Sequence, residues 1–291
     1  MNKRTKNCKI KIIASLLLVT FATTILCACN SETSKATKIQ AMNPQRIAAG
    51  QDHALILEDD GTVRVVCEHW DKGCDIDDWT DIVSVDACGS YSFGLKADGT
   101  VVYAASENTA PIDTITWENL VQLSGTITHI AGLLADGTVV VQDHTSLCRS
   151  CDTSSWKDIV YISAGHLMVF GINSNGDLLV TGDDSYSPFD TTNWNNLIKV
   201  EAGDRVIGLK KDGTVVTDSI NQPKMWTDII DVSAGHYFYA AVKSDGTAEI
   251  YYPGDNKYVR LDGWKDIVAI SSCVGNVYGL RADGTVMHAS A

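Results

Sequence analysis

Residues 79–103 read Trp79-Thr-Asp-Ile-Val-Ser-Val-Asp-Ala-Cys-Gly-Ser-Tyr-Ser-Phe-Gly-Leu-Lys-Ala-Asp98-Gly99-Thr100-Val-Val-Tyr103, and this stretch decides the fold. The two-residue alternation of Val83, Val85 and Ala87 is the period of a strand. A short turn follows, marked in other parts of the chain by Ala49-Gly50, Ala164-Gly165, Ala202-Gly203 and Ala234-Gly235, and then a second apolar stretch from Ser92 to Ala97. Asp-Gly readily takes the positive backbone angles of a type I′ turn, whose twist matches that of the flanking strands. Asp98-Gly99 therefore predicts a hairpin that returns over Thr100 to Ala104.

The same unit recurs along the chain. An Asp-Gly or Asn-Gly pair ends at Gly61, Gly99, Gly137, Gly176, Gly213, Gly246 and Gly284, at intervals of 38, 38, 39, 37, 33 and 38 residues. Trp79, Trp117, Trp156, Trp194, Trp226 and Trp264 precede these glycines by 20 residues, or 19 in the fifth copy, and Ala41 holds the position in the first. Each copy has at least three antiparallel strands, with room for a fourth before the next Trp. A sheet of about 37 residues cannot bury both faces alone, whereas radial stacking around an axis buries them all. The expected fold is all-β, a seven-bladed β-propeller occupying residues 44–291 with no room for a second domain. The last copy stops after its third strand, so a strand near Thr37 to Met42 is expected to supply the missing edge and close the ring.

Lys3, Arg4, Lys6, Lys9 and Lys11 precede an apolar run, Ile12 to Leu26, whose 15 residues are fewer than the roughly 20 of a permanent membrane span. The run ends Leu26-Cys27-Ala28-Cys29. This ending resembles the lipobox of bacterial lipoproteins. It implies a signal peptide over 1–28, lipidation of Cys29, a polar tether over 29–43, and a bacterial cell membrane location on the extracytoplasmic side. The whole chain carries a formal charge of −13; without the five leader bases, 18 bases face 36 acids, a net −18. A body that acidic is repelled by phosphate backbones and anionic headgroups, which excludes nucleic acid as a partner and restricts membrane contact to the lipid anchor.

The copies resemble repeats of the regulator-of-chromosome-condensation family: a hydrophobic pair, a V-x-A-G turn, often a His, then G-L-x-x-D-G-T-V. The best matches are Ile82-Val83 through Val101, Ile159-Val160 through Leu178, and Ile229-Ile230 through Thr247, and the resemblance covers residues 41 to 291. WD and kelch signatures are missing, and Ser244-Asp245-Gly246-Thr247 lacks the second Gly and the Trp of a sialidase box. The resemblance implies a propeller and little about function, because function resides in sites grafted on the scaffold. Chromatin binding and nucleotide exchange do not carry over to an exported acidic body. A secreted bacterial inhibitor of β-lactamase with this propeller type, which grips its target with loops on one rim, is the nearer precedent.

The six repeat Trp residues are read as wedges between blades. Trp70 stands off-register in a loop bracketed by Cys67 and Cys74, while Cys148 and Cys151 close the equivalent loop of the third copy; two local disulfides are expected, since export favours them. Cys88 and Cys273 share the repeat position nine after the Trp and are expected to be free and too far apart to bridge. His53, His166 and His236 follow turn glycines at scattered offsets that build no metal site. Asp75, Asp77, Asp78 and Asp81 lack the Gly and Glu of a calcium loop. No H-E-x-x-H, G-x-S-x-G or phosphate loop occurs, so no catalytic residue, metal or cofactor is assigned. The expected function is protein binding, inhibitory or scaffolding, by the rim that carries the first-strand turns and the third-strand loops. Candidate contacts are Trp70, Tyr91, Tyr186, Arg205, Tyr237, Phe238, Tyr251 and Tyr252, residue types enriched in interface hot spots. The rival expectation is a glycan-binding or glycan-cleaving propeller, which a pair of carboxylates beside an aromatic in the central channel would favour. A third is a structural subunit of a surface complex.

Overall fold

The computed structural model describes residues 45–67, 75–106, 112, 117–143, 145, 148, 150–183, 192 and 194–291. The described residues are all-β, with seven antiparallel sheets, one per sequence copy. Their inner strands are Ile47–Ala49, Ile82–Cys88, Leu120–Gly125, Ile159–Gly165, Leu197–Ala202, Ile229–Ala234 and Ile267–Cys273. Each pairs with a middle strand and that with an outer one, and Lys257–Arg260 adds a fourth strand to blade 6. Every inner strand touches that of the next blade, and blade 7 touches blade 1.

Seven buried clusters fill the seven seams. Between blades 3 and 4, for example, Leu133 and Val139 meet Trp156, Ile159, Ile162 and Val169. The Trp lies flat on the middle strand of its own blade, and the space it needs is made by a glycine. A Cβ at Gly94 would stand 2.9 Å from Trp79, and one at Gly171 would stand 2.6 Å from Trp156. Gly132, Gly208 and Gly279 face Trp117, Trp194 and Trp264 in the same way, and Ala241 takes this place in blade 6. In blade 1 the corresponding residue is Ile56, in the copy where Ala41 replaces the Trp. Among the described residues the seam between blades 7 and 1 is therefore filled by Ile47, Ile56, Tyr278 and Leu280, without a Trp.

The Asp-Gly hairpins differ from the type I′ expectation. Gly99 has φ +82°, while Asp98 is not among the residues with positive φ. The Gly99 N–H donates to the Lys96 carbonyl at 2.9 Å and the Lys96 N–H to the Thr100 carbonyl at 2.8 Å, the pattern of a three-residue loop ending in a left-handed glycine. The reason lies in Asp98, whose Oδ1 accepts both the N–H and the hydroxyl of Thr100 (3.0 and 2.6 Å) and so holds the aspartate as a side-chain acceptor. Copies 1, 3, 5 and 6 repeat the hydroxyl bond, and in copy 7 the Thr285 N–H donates to Asp283. The glycine also docks on the next blade. Its carbonyl accepts the first strand N–H there, as Gly246 does from Ile267 at 3.0 Å, beside Asp266 at φ +58°.

Blade 7 bonds to blade 1 through Ala49 N–H to Ser271 Oγ (2.9 Å), Arg64 to the Gly284 carbonyl (3.1 Å) and Asn276 to the Gln51 carbonyl (3.1 Å). The expected closing strand at Thr37 to Met42 lies outside the described residues.

Candidate functional site

The inner strands surround an axial channel with a cavity of about 240 Å³. An inner strand has one free edge, whose unpaired N–H groups need acceptors. The chain supplies them from two repeat positions, five and seven after the Trp. At the second of these, Ser124 Oγ accepts the Ala164 N–H (2.9 Å), Ser163 Oγ accepts Ala202 (3.0 Å), Ser233 Oγ accepts Ser272 (2.8 Å) and Ser271 Oγ accepts Ala49 (2.9 Å). At the first, the Gln122 amide brackets the Ile162 N–H and carbonyl, and Asp231 Oδ2 accepts the Ile270 N–H at 2.8 Å. Asp86 uses Oδ2 for Gly125 of the next blade and Oδ1 for Ala87 of its own.

Blade 5 departs from this belt, with Lys199 and Glu201 at its two positions. Lys199 Nζ sits 2.6 Å from Asp231 Oδ1 and 3.3 Å from Glu201 Oε1, and the Tyr161 hydroxyl donates to Glu201 at 2.8 Å. Burial alone would lower the Lys199 pKa, but the two carboxylates outweigh it and raise the group well above the ordinary lysine value. Burial, with the Glu201 charge next, raises Tyr161 and keeps it a donor. Asp86 opens to the channel yet is surrounded by protein. Desolvation, assisted by the charge of Glu201 and opposed by its amide donors, pushes its carboxyl up to about 7. The channel is thus lined by the carboxylates of Asp86, Glu201 and Asp204 and the phenol of Tyr161, with Lys199 pairing Glu201 to Asp231.

The turns joining inner to middle strands ring one mouth of the channel. The segments after the outer strands share that face, since Ser106 N–H bonds to the Ser90 carbonyl and Asp183 N–H to that of Leu167. Ile127, Tyr237 and Val274 stand out here, 55%, 69% and 51% exposed. Ile127 and Val274 line the cavity, and Tyr237 meets the His236 ring edge-on at 3.8 Å. His236 Nδ1 in turn bonds Asp204 of the neighbouring turn. Cys88 and Cys273 line the same cavity as free thiols, and burial raises both.

Of the candidate contacts, Tyr237 is exposed at the mouth. Arg205 is partly exposed and pairs with Asp218 at 3.5 Å, while half-buried Tyr252 packs on Phe238. Tyr91, Phe238 and Tyr251 are corrected. All three are buried in the seams, because a middle strand (Tyr91), the turn before a middle strand (Phe238) and an outer strand (Tyr251) direct these rings toward a neighbouring blade instead of solvent. Tyr251 also spends its hydroxyl on Asn221 and Asn256. Trp70, Tyr186, Cys74 and Cys29 lie outside the described residues, as does the Cys67 side chain. Cys148 and Cys151 form a disulfide. His53, expected as an ordinary turn residue, is buried and bonded to Ser92, and burial lowers its pKa. Ile127, Val274, Asp204 and the channel residues Asp86, Tyr161, Lys199, Glu201 and Asp231 are the additions. The signal of Asp86, Tyr161, Lys199, Glu201 and Asp231 was present as polar side chains five or seven after the Trp.

No family model matches the chain, and none of the curated proteins does. Solved structures are similar over most of the chain. The CRINKLY WD40 ectodomain of an Arabidopsis thaliana receptor kinase superposes with a TM-score of 0.67 at 13% identity, covering 84% of this chain and 95% of that one. A Physcomitrella patens receptor kinase ectodomain gives 0.67 at 14%, covering 84% and 72%. Prp20p of Saccharomyces cerevisiae, the yeast RCC1, gives 0.59 at 15%, covering 78% and 80%. At such identities the likeness shows the fold alone: the chain is a repeat-built β-propeller, similar to receptor ectodomains and to yeast RCC1.

Proposed function

We propose that the protein is a lipid-anchored, extracytoplasmic propeller, its ring closed by an N-terminal strand, that binds a protein partner across the channel mouth. The observation that carries this reading is the mouth itself, where Ile127, Tyr237 and Val274 are exposed around a channel lined by Asp86, Glu201 and Asp204. Apolar and aromatic anchors over buried acids suit a partner that presents an amphipathic loop with a basic side chain aimed at the axis. The fold likeness to receptor ectodomains fits an interaction module. The cavity of about 240 Å³ lies below the roughly 300–1,000 Å³ of typical small-ligand sites and suits an inserted side chain better than a saccharide.

The test is cross-linked capture from the native envelope by the wild type and by a variant carrying Ile127→Ser, Tyr237→Ala and Val274→Ser. A protein held by the wild type and lost from the variant supports the reading; one held equally by both overturns it. A second reading, glycan binding or cleavage, draws on Asp86, whose pKa of about 7 suits a general acid, with Glu201 and Tyr161 in the same channel. It predicts that Asp86→Asn abolishes glycan turnover. Against it, the Asp86 carboxylate is already held by the Gly125 and Ala87 amides.

A further inference from the structure

A second cluster lies away from the channel, between blades 3 and 4. His129 opens the middle strand His129–Leu134 and is fully buried. Buried Cys148 and partly buried Cys151 lie in the segment that leads to Trp156. The imidazole and the two sulfurs come together so that their ligand atoms all lie within 4.8 Å of one another.

The surroundings are those of a ligand set. Both ring nitrogens of His129 have polar neighbours: Nδ1 meets Thr126 Oγ1 and Thr128 Oγ1 at 3.1 and 2.9 Å, and Nε2 meets the Met168 carbonyl at 3.1 Å. Whichever nitrogen turned to a metal, the other would keep a partner that fixes the ring, as ligating histidines require. Asp143 orders the cysteine segment, accepting the Cys148 N–H at 2.9 Å and the Thr145 N–H at 2.9 Å. The C-x-x-C spacing is the usual bite of two thiolates on a tetrahedral ion.

We propose that His129, Cys148 and Cys151 form a binding site for a thiophilic metal ion such as Zn²⁺, closed while the cysteines are a disulfide and opened by their reduction. Opening is a thiol–disulfide exchange with an external dithiol. The attacking thiolate breaks the Cys148–Cys151 bond, the dithiol leaves as its own disulfide, and the two electrons and two protons end on the two cysteines. Metal binding then displaces the two thiol protons, and neutral His129 supplies the third ligand. The fourth position is left for a small ligand on the side of Cys151, the member of the set that is partly exposed. The site is independent of the channel-mouth reading.

Cobalt is the probe. The protein is reduced with a dithiol, freed of it without air and titrated with Co²⁺. The expected result is one equivalent bound, with a thiolate-to-cobalt charge-transfer band and tetrahedral ligand-field bands, both removed by Zn²⁺. The disulfide form should give neither. Cys151→Ser should lose the charge-transfer intensity, and His129→Asn should weaken binding by roughly tenfold or more. Because His129 is buried and its variant can fail to fold, X-ray absorption on the zinc-loaded wild type is the second measurement, expected to count two sulfurs and a histidine nitrogen. A reduced wild type without the charge-transfer band, or a zinc shell without nitrogen, overturns the proposal.

Discussion

Gly171 lies against Trp156 at a distance that leaves no room for a methyl group, and this pairing sets the thickness of a blade seam. Gly171→Ala should cost about 1–3 kcal/mol through overpacking. Gly254, which has open space around it and an ordinary φ, is the control, and Gly254→Ala should leave the urea midpoint unchanged. Asp86 makes a second prediction at this scale. Its folded carboxyl titrates near 7, above the ordinary 3.8, so the folded state holds the proton more tightly than the unfolded chain. The resulting contribution to stability is fully present below about pH 4 and is lost as pH rises through about 7. Wild type should therefore lose stability over that interval. Asp86→Asn should flatten that part of the profile, measured by urea unfolding at several pH values.

Among elements, the inner strand carries most of the explanation. Its free edge is satisfied by side chains of the preceding blade, so each Ser of the belt joins two sheets. Ser271→Ala leaves the buried Ala49 N–H without its acceptor and should cost about 1–3 kcal/mol, with faster hydrogen exchange at Ala49. The wedge role of the Trp residues and the three-strand unit were legible from spacing alone, because a period of 37 residues survives any local ambiguity. The form of the Asp-Gly turn was not. Choosing between two glycine hairpins depends on whether Asp98 spends its carboxylate on Thr100, which no two-residue signal encodes. Tyr91, Phe238 and Tyr251 were misplaced for a related reason: a ring beside a turn faces solvent or a seam according to strand register, which composition does not carry. The channel residues were readable in principle, at five and seven after each Trp, but only once those positions were known to face the axis.

For the molecule as a whole, the seven seams are not equivalent. Six hold a Trp, while the seam between blades 7 and 1 relies on Ile47, Ile56, Tyr278 and Leu280. Repeat proteins open first where a neighbouring interface is weakest. Hydrogen exchange should therefore be faster in His53–Leu57 and Asn276–Arg281 than in Met168–Asn173, and uniform protection would contradict a weak seam.

The binding face tests the account most directly, by site-specific photo-cross-linking in the native envelope. A photoreactive residue is placed singly at Tyr237 or Val274 on the channel mouth, and at Asp98 or Asp245 on the hairpins at the opposite ends of the strands. The account predicts a common protein adduct from the two mouth positions and none from the hairpins. Adducts from the hairpins alone, or no protein adduct at the mouth, would contradict it.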